Sequence, residues 1–116
     1  MKAKWEIGID LTGVKSNPIV VVTNYQLEQN YPNPFNPSTK ISYALPKAAK
    51  VSLLIYNTFG QEVAKLLDNQ QQPAGKHTIT WDSADHAGKA LPSGMYFYRL
   101  RAGEGVILTR KMLLVK

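Results

Sequence analysis

The stretch LPSGMYFYRL, residues 91–100, indicates the fold more clearly than any other part of the 116-residue chain. After the turn residues, large side chains alternate with a period of two, as in a β-strand with one buried face. One face carries Tyr96, Tyr98 and Leu100, and the other carries Phe97, Arg99 and Arg101. We expect the first face to lie in the core. The second face is either covered by a partner sheet or forms a small aromatic and basic patch, as in platforms that stack bases or sugars.

The tyrosine that opens this strand is a second sign of the fold. Tyr96 follows a loop rich in turn residues, residues 91–94, near the end of the chain. In immunoglobulin-like sandwiches, a tyrosine in this setting forms a tyrosine corner, in which the hydroxyl bonds back to the loop. The alternative is an ordinary core tyrosine. We favour the corner because a buried ring needs a partner for its oxygen.

Strand patterns recur along the chain, separated by proline, glycine and asparagine. The predicted strands are residues 40–45, 51–55, 61–67, 77–81, 96–101 and 106–115. Residues 63–67 also fit a single helical turn, and residues 68–75 are interpreted as a polar connection. Strands this short and this closely spaced predict an all-β, immunoglobulin-like antiparallel β-sandwich of about seven strands.

A proline-rich segment, NYPNPFNPS at residues 30–38, precedes the first of these strands. Each proline removes a backbone donor and pushes the preceding residue towards extended geometry. Asn33 and Asn36 can close turns onto their own backbone. We therefore predict a rigid, irregular start to the domain, with Tyr31 and Phe35 as apolar anchors.

Residues 1–26 differ from the rest, and their pattern leaves several interpretations open. Trp5, Ile7 and Ile9 alternate with polar residues or glycine, and residues 19–23 are largely β-branched. This region is a linker, the tail of a preceding domain, or an extra pair of strands. Its apolar runs fall far short of the roughly 20 residues that a membrane-spanning helix needs. It also contains no signal-peptide core, so we expect an exported protein to carry its leader elsewhere in a longer chain.

Composition excludes several kinds of chemistry. The chain has no cysteine, which excludes disulfides, zinc–thiolate sites, iron–sulfur clusters and thiol nucleophiles. The net charge of +6 favours anionic partners, but the lysines are scattered, which is more typical of a solvated surface. We expect no nucleic-acid partner.

The histidines give little support to catalysis or metal binding. His77 lies in a strand pattern and is expected to be packed or at an edge. His86 lies in a loop with Asp82 and Asp85, where a base–orienter pair or a metal site is conceivable. Turns capped by aspartate account for the same residues. The chain has no Gly-x-Ser-x-Gly motif for a serine nucleophile. Calcium needs about six oxygens or more, and this loop offers two carboxylates. We therefore expect no enzymatic activity and no cofactor.

Taken in order, these segments resemble one known family. The segments are NYPNPFNPST (30–39), VSLLIYNTFG (51–60), QEV (61–63), GKH (75–77) before WD (81–82), LPSGMYFYRL (91–100) and KMLLVK (111–116). They resemble the type A C-terminal sorting domain of proteins exported by the type IX (Por) secretion system, over residues 27–116. Residues 81–96 are also similar to the Ig-like domain of the flagellar hook-capping protein, which implies the same fold.

The resemblance implies a function in protein transport. Such domains end larger secreted proteins of Gram-negative bacteria and direct them through the periplasm and outer membrane to the cell surface or the medium. The implied partners are the outer-membrane type IX apparatus, a sortase-like peptidase that removes the domain, and a cargo domain N-terminal to this chain. Anionic lipopolysaccharide would then be joined to the cargo. We place the cut between Val22 and Gln29, and we expect a monomer.

The last strand is the predicted recognition signal. A transporter of folded cargo must read surface shape or an exposed end, and a terminal strand offers edge hydrogen bonds, a row of side chains and a free carboxylate. The predicted sorting-signal residues are Lys111, Met112, Leu113, Leu114, Val115 and Lys116. The alternative function is a carbohydrate-binding or structural β-sandwich module of an extracellular enzyme, with a sugar patch around Trp5 or Phe97.

Overall fold

The computed structural model describes residues 23–116, and the strands in this range confirm the predicted all-β sandwich. The strands are β1 (Gln26–Leu27), β2 (Thr39–Leu45), β3 (Ala49–Tyr56), β4 (Glu62–Gln72), β5 (Gly75–Trp81), β6 (Gly94–Ala102) and β7 (Val106–Leu114). Residues 63–67 are part of β4 and not a helical turn. No helix long and apolar enough to cross a membrane occurs among the described residues.

The seven strands form two antiparallel sheets, one with the order β1-β2-β5 and one with the order β4-β3-β6-β7. The chain crosses between the sheets after β2, β4 and β5. The β6–β7 hairpin is paired in register from Gly94–Leu114 to Ala102–Val106. Its turn contains Gly103 and Gly105 at φ values of 56° and 89°, a region in which glycine carries no Cβ penalty. This hairpin places the end of the chain at an edge of the larger sheet.

The core lies between the sheets and follows the alternation of the sequence. Its fully buried large apolar side chains are Phe35, Ile41, Leu45, Val51, Leu53, Ile55, Tyr98, Leu100, Met112 and Leu114. Each contributes about 1.5–3 kcal/mol through burial. Tyr98 and Leu100 therefore lie on the buried face of β6, as predicted from their spacing.

The tyrosine corner is confirmed. The Tyr96 hydroxyl donates a hydrogen bond to the carbonyl of Pro92 at 2.7 Å. The ring packs edge-on against Trp81, with centroids 6.3 Å apart. The loop before β6 is thus fixed to the core by one side chain that is apolar in its body and polar at its tip.

Strand β4 extends further than predicted, because backbone pairing outweighs side-chain polarity there. Residues 68–72 are polar, yet Gln70 and Gln72 pair with Val51 and Ala49 of β3. The strand is at a sheet edge and most of these side chains face solvent, so their polarity carries little penalty. A register shift accompanies Asn69, whose φ is 52° and whose N–H donates to the Ser52 hydroxyl at 2.9 Å.

The proline-rich segment, residues 30–38, is anchored by one aromatic ring and not by two. Phe35 is 1% exposed and packs on Trp81 with ring centroids 5.9 Å apart. Tyr31 is 78% exposed, so its predicted role as an apolar anchor is wrong. Its backbone instead exchanges two hydrogen bonds with Lys40, at 2.8 and 2.9 Å.

Candidate functional site

The predicted signal residues lie on the edge strand β7 and just beyond it, and alternation divides them into two sets. Met112 and Leu114 are fully buried in the core. Leu113 is 37% exposed and Val115 is 45% exposed. Lys111 and Lys116 are also exposed. Any partner that binds the folded domain can therefore contact Lys111, Leu113, Val115 and Lys116, but not the two buried residues.

The outer edge of this part of β7 is already paired within the chain. The Phe35 N–H donates to the Leu113 carbonyl at 3.0 Å, and the Val115 N–H donates to the Phe35 carbonyl at 3.0 Å. On the N-terminal side of these two bonds, the Leu113 N–H donates to Oδ1 of Asn33 at 3.0 Å. The expectation that this stretch offers edge hydrogen bonds to a partner is thus corrected, because the proline-rich segment occupies the edge.

Two further hydrogen bonds fix the same end of the strand. The Gln29 side-chain amide donates to the Lys111 carbonyl at 2.8 Å. The Lys116 N–H donates to the Ser93 hydroxyl at 3.0 Å. The two most specific parts of the sequence resemblance, the proline-rich segment and the closing residues, therefore meet at one edge of the sandwich.

A buried tyrosine holds the proline-rich segment in place. The Tyr98 hydroxyl donates to the Glu28 carbonyl at 2.6 Å and accepts from the Asn30 N–H at 2.8 Å. The Asn30 amide donates to the Thr39 hydroxyl at 3.0 Å and to the Pro32 carbonyl at 3.1 Å. The sequence pattern placed Tyr98 in the core but did not reveal this network, whose partners lie about 70 positions away in the chain.

This network predicts a pH dependence of stability. Burial raises the pKa of Tyr98 to about 12 from an ordinary value of about 10. Because the folded state favours the neutral phenol, its stabilisation is complete below about pH 10 and is lost as pH rises through about 12. We expect Tyr98→Phe to lower the free energy of unfolding at neutral pH and to flatten its alkaline decline.

The measurement is urea denaturation of wild type and Tyr98→Phe from about pH 9 to about pH 12. The free energy of unfolding of the variant should still decline somewhat as pH rises, because burial also raises the pKa values of Tyr43 and Tyr96. Equal slopes for the two proteins over this range would contradict the assignment.

Within residues 23–116, the second face of β6 lies on the outside of the larger sheet and is not covered by the other sheet, so its side chains form a small aromatic and basic patch. Arg99 lies over the Tyr56 ring, with its guanidinium carbon 5.1 Å from the ring centroid, and its Nε donates to the Thr109 hydroxyl at 3.3 Å. Phe97 is half-buried and pairs across the hairpin with Lys111. The patch therefore continues from β6 onto the accessible side chains of the last strand.

The loop with Asp85 and His86 has the capped-turn structure that its residues predict. Oδ1 of Asp85 accepts from the N–H groups of Ala87 and Lys89, both at 2.9 Å. These hydrogen bonds hold the pKa of the Asp85 carboxyl below its usual value, and the bond from Lys89 has the largest effect. His86 does not pair with an aspartate; its Nε2 lies 3.3 Å from Oε2 of Glu62.

The other histidine is packed, as predicted. His77 stacks on Tyr43 with ring centroids 5.1 Å apart, and its Nε2 lies 2.8 Å from the Pro73 carbonyl oxygen. Within residues 23–116, no three histidine, aspartate or glutamate side chains are grouped to hold a metal ion. The strand patterns predicted before residue 23, and Trp5 of the alternative sugar patch, lie outside the described residues.

A protein-family model described as the FlgD Ig-like domain matches residues 33–105. The chain belongs to this family. The match begins in the proline-rich segment and ends at the turn before β7. The FlgD Ig-like match therefore covers the scaffold of the sandwich and stops before the strand that carries the accessible signal residues.

Solved structures place this FlgD Ig-like domain among similar sandwiches. FlgD from P. aeruginosa is 26% identical, with a TM-score of 0.55, over 66% of this chain and 61% of that one. PorU from Porphyromonas gingivalis is 20% identical, with a TM-score of 0.64, over 84% of this chain and 10% of that one. PorZ from the same organism, described as an essential surface component of the type-IX secretion system, is 17% identical, with a TM-score of 0.50, over 79% of this chain and 11% of that one.

These comparisons confirm the predicted resemblance at the level of family and fold. The chain spans about a tenth of the PorU and PorZ chains, so the likeness concerns one domain within each. No curated protein shows a significant match to the chain.

Proposed function

We propose that this chain is a non-catalytic C-terminal secretion signal that directs a larger cargo protein through the type IX secretion system to the cell surface or the medium. The observation that carries the proposal is the junction between the proline-rich segment and the end of β7. Phe35 and Leu113 join these two parts by a backbone hydrogen bond of 3.0 Å. The likeness of the fold to a domain of PorZ, a type IX surface component, supports the same function.

The signal is read in the folded state. Met112 and Leu114 are fully buried. Exposing them would mean unfolding the sandwich, which costs most of its free energy of unfolding. The proposed contacts with the outer-membrane apparatus are therefore made by Lys111, Leu113, Val115 and Lys116. The cargo lies N-terminal to the chain, and anionic lipopolysaccharide is joined to that cargo.

The proposed cut by the sortase-like peptidase lies before β1. Leu27 is buried and pairs with Tyr43, and the Glu28 N–H donates to the Ser42 carbonyl at 2.9 Å. A peptidase needs an extended, accessible backbone, which β1 does not offer. The part of the predicted interval on the N-terminal side of Gln26 is thus the better substrate.

A reporter fusion tests the proposal. A periplasmic reporter carrying this chain at its C-terminus is expressed in a bacterium with an active type IX system. We expect most of the reporter outside the cell, while the same reporter without the chain stays in the periplasm. The matched control carries the Ig-like domain of P. aeruginosa FlgD, which shares the fold at 26% identity, and it is also expected to stay inside.

Retention of the fusion in the periplasm, with the domain folded and intact, would contradict the proposal. Equal export of the FlgD control would show that the fold alone suffices, and it would contradict the role assigned to the end of β7.

A further inference from the structure

An exposed apolar patch lies where the last strand ends. Met95 and Leu113 face each other across the β6–β7 hairpin and are 39% and 37% exposed. Val115 continues the row of Leu113. Phe59, in the β3–β4 turn, is 87% exposed and lines one depression of about 340 Å³ together with Met95. We call Phe59, Met95, Leu113 and Val115 the apolar patch.

The sheet surface that continues from this patch carries only positively charged side chains among its charged residues. The outward side chains of β6 and β7 are Met95, Phe97, Arg99, Arg101, Ile107, Thr109, Lys111 and Leu113. Three of these side chains are basic and none is acidic. The ion pairs found within residues 23–116, Lys65–Asp68 and His86–Glu62, are not on these two strands. Carboxylates supplied by a partner would complement the charge of this surface.

We propose that the apolar patch and its basic surroundings dock a folded protein that presents an apolar centre flanked by carboxylates. The inference rests on the proposed function, since this protein is the component that reads the domain during export. Phenylalanine, methionine and arginine, which occur together on this surface, are enriched in protein–protein interfaces. Opposite charges around such a core guide the encounter and set its specificity.

The edge of the strand does not take part in this docking. Backbone groups of Leu113 and Val115 are paired with Asn33 and Phe35, so addition of a partner strand there would first have to displace the proline-rich segment. Recognition through side chains needs no such displacement. The partner therefore reads side chains of the β6–β7 hairpin while the proline-rich segment stays paired with β7.

A glycan fits this surface less well than a protein. Sugar sites need several polar side chains that are free to bind hydroxyls. Asn57, a polar residue that lines the same depression, is used within its turn: its Oδ1 accepts from the N–H groups of Phe59 and Gln61, and its amide donates to the Gln61 side chain. The centre of the patch is also aliphatic, formed by Met95 and Leu113, and lacks the stacked aromatic rings that bind sugars.

Charge repulsion disfavours binding of a second copy of the chain to this surface. A two-fold symmetric pairing of this face would place Lys111 and Arg101 of one copy against the same basic surface of the other. Like charges in such an arrangement oppose association. We therefore expect the surface to remain open in the isolated protein.

The test measures export of the reporter fusion with single substitutions on this face. Leu113→Glu and Lys111→Glu are expected to lower the external fraction about tenfold or more, as for loss of an interface hot spot. Lys111→Arg is expected to keep export near that of wild type. Met95 provides a test of charge sign, since Met95→Glu should reduce export more than Met95→Lys.

Controls separate this inference from a loss of fold and from the proposed function. Lys76→Glu and Thr78→Glu place the same charge on the exposed side of β5 and should leave export unchanged. Thermal unfolding of each purified 116-residue variant confirms that it is folded. Normal export of folded Leu113→Glu and Lys111→Glu, when wild type is exported, would overturn the docking surface and leave the proposed function standing.

Two other results would also overturn the inference. Absence of export for wild type would remove the proposed function and this inference with it. A dimer of the purified wild-type chain in sedimentation that Leu113→Glu converts to a monomer would show that a second copy occupies the face.

Discussion

Phe35→Ala is expected to lower the free energy of unfolding by about 3–5 kcal/mol, the range for truncating a buried aromatic side chain. The ring is 1% exposed and packs against Trp81 at the base of the proline-rich segment. Removing it leaves a cavity that the rigid prolines on either side cannot close. The backbone hydrogen bonds of residue 35 with Leu113 and Val115 remain available to alanine, so the loss reports side-chain packing.

Urea denaturation measures this loss, and Phe59→Ala is the matched control. Phe59 is 87% exposed, so the same substitution there should change stability by less than about 0.5 kcal/mol. A change below about 1 kcal/mol for Phe35→Ala would show that the proline-rich segment is not held by this ring.

Removal of residues 113–116 is expected to abolish export and leave the reporter in the periplasm. The deletion removes accessible side chains, including that of Leu113, and it also removes the fully buried Leu114. Loss of that buried residue alone destabilises the sandwich by about 2–5 kcal/mol. Loss of export by this deletion therefore does not by itself separate signal from fold.

Two matched changes separate them. Leu114→Ala removes the core contact and keeps the accessible row, so export should persist at temperatures where the domain remains folded. Val115→Glu combined with Lys116→Glu changes accessible side chains and keeps the backbone N–H groups that bond to Phe35 and Ser93, so export should fall while the unfolding temperature stays close to that of wild type. Normal export after removal of residues 113–116 would contradict the role of the last strand.

The sequence predicts the scaffold well because most of it follows local rules. The alternation of Tyr96, Tyr98 and Leu100 predicts the buried face of β6, and the loop before Tyr96 predicts its corner. The prediction is less complete at β4, because residues 68–72 are polar and pair through their backbone with β3. Side-chain patterns do not report such backbone pairing at a sheet edge.

The candidate site depends on contacts that are distant in sequence, so it could be predicted only in outline. Residues 112–115 are apolar on both alternation phases, and the core position of Leu114 follows from its parallel bridge to Phe35. Likewise, no local pattern links Tyr98 to Glu28, which lie 70 positions apart. The predicted signal is unchanged in position, but its accessible part is reduced to Lys111, Leu113 and the two residues that follow Leu114.

The central claim, that the chain is a type IX secretion signal, is tested most directly by the external fraction of a reporter fused to it in two matched strains. One strain has an active type IX apparatus and the other lacks it. The account predicts that most of the reporter is outside the cell in the first strain and nearly all of it is in the periplasm of the second. Equal external fractions in the two strains would contradict the claim.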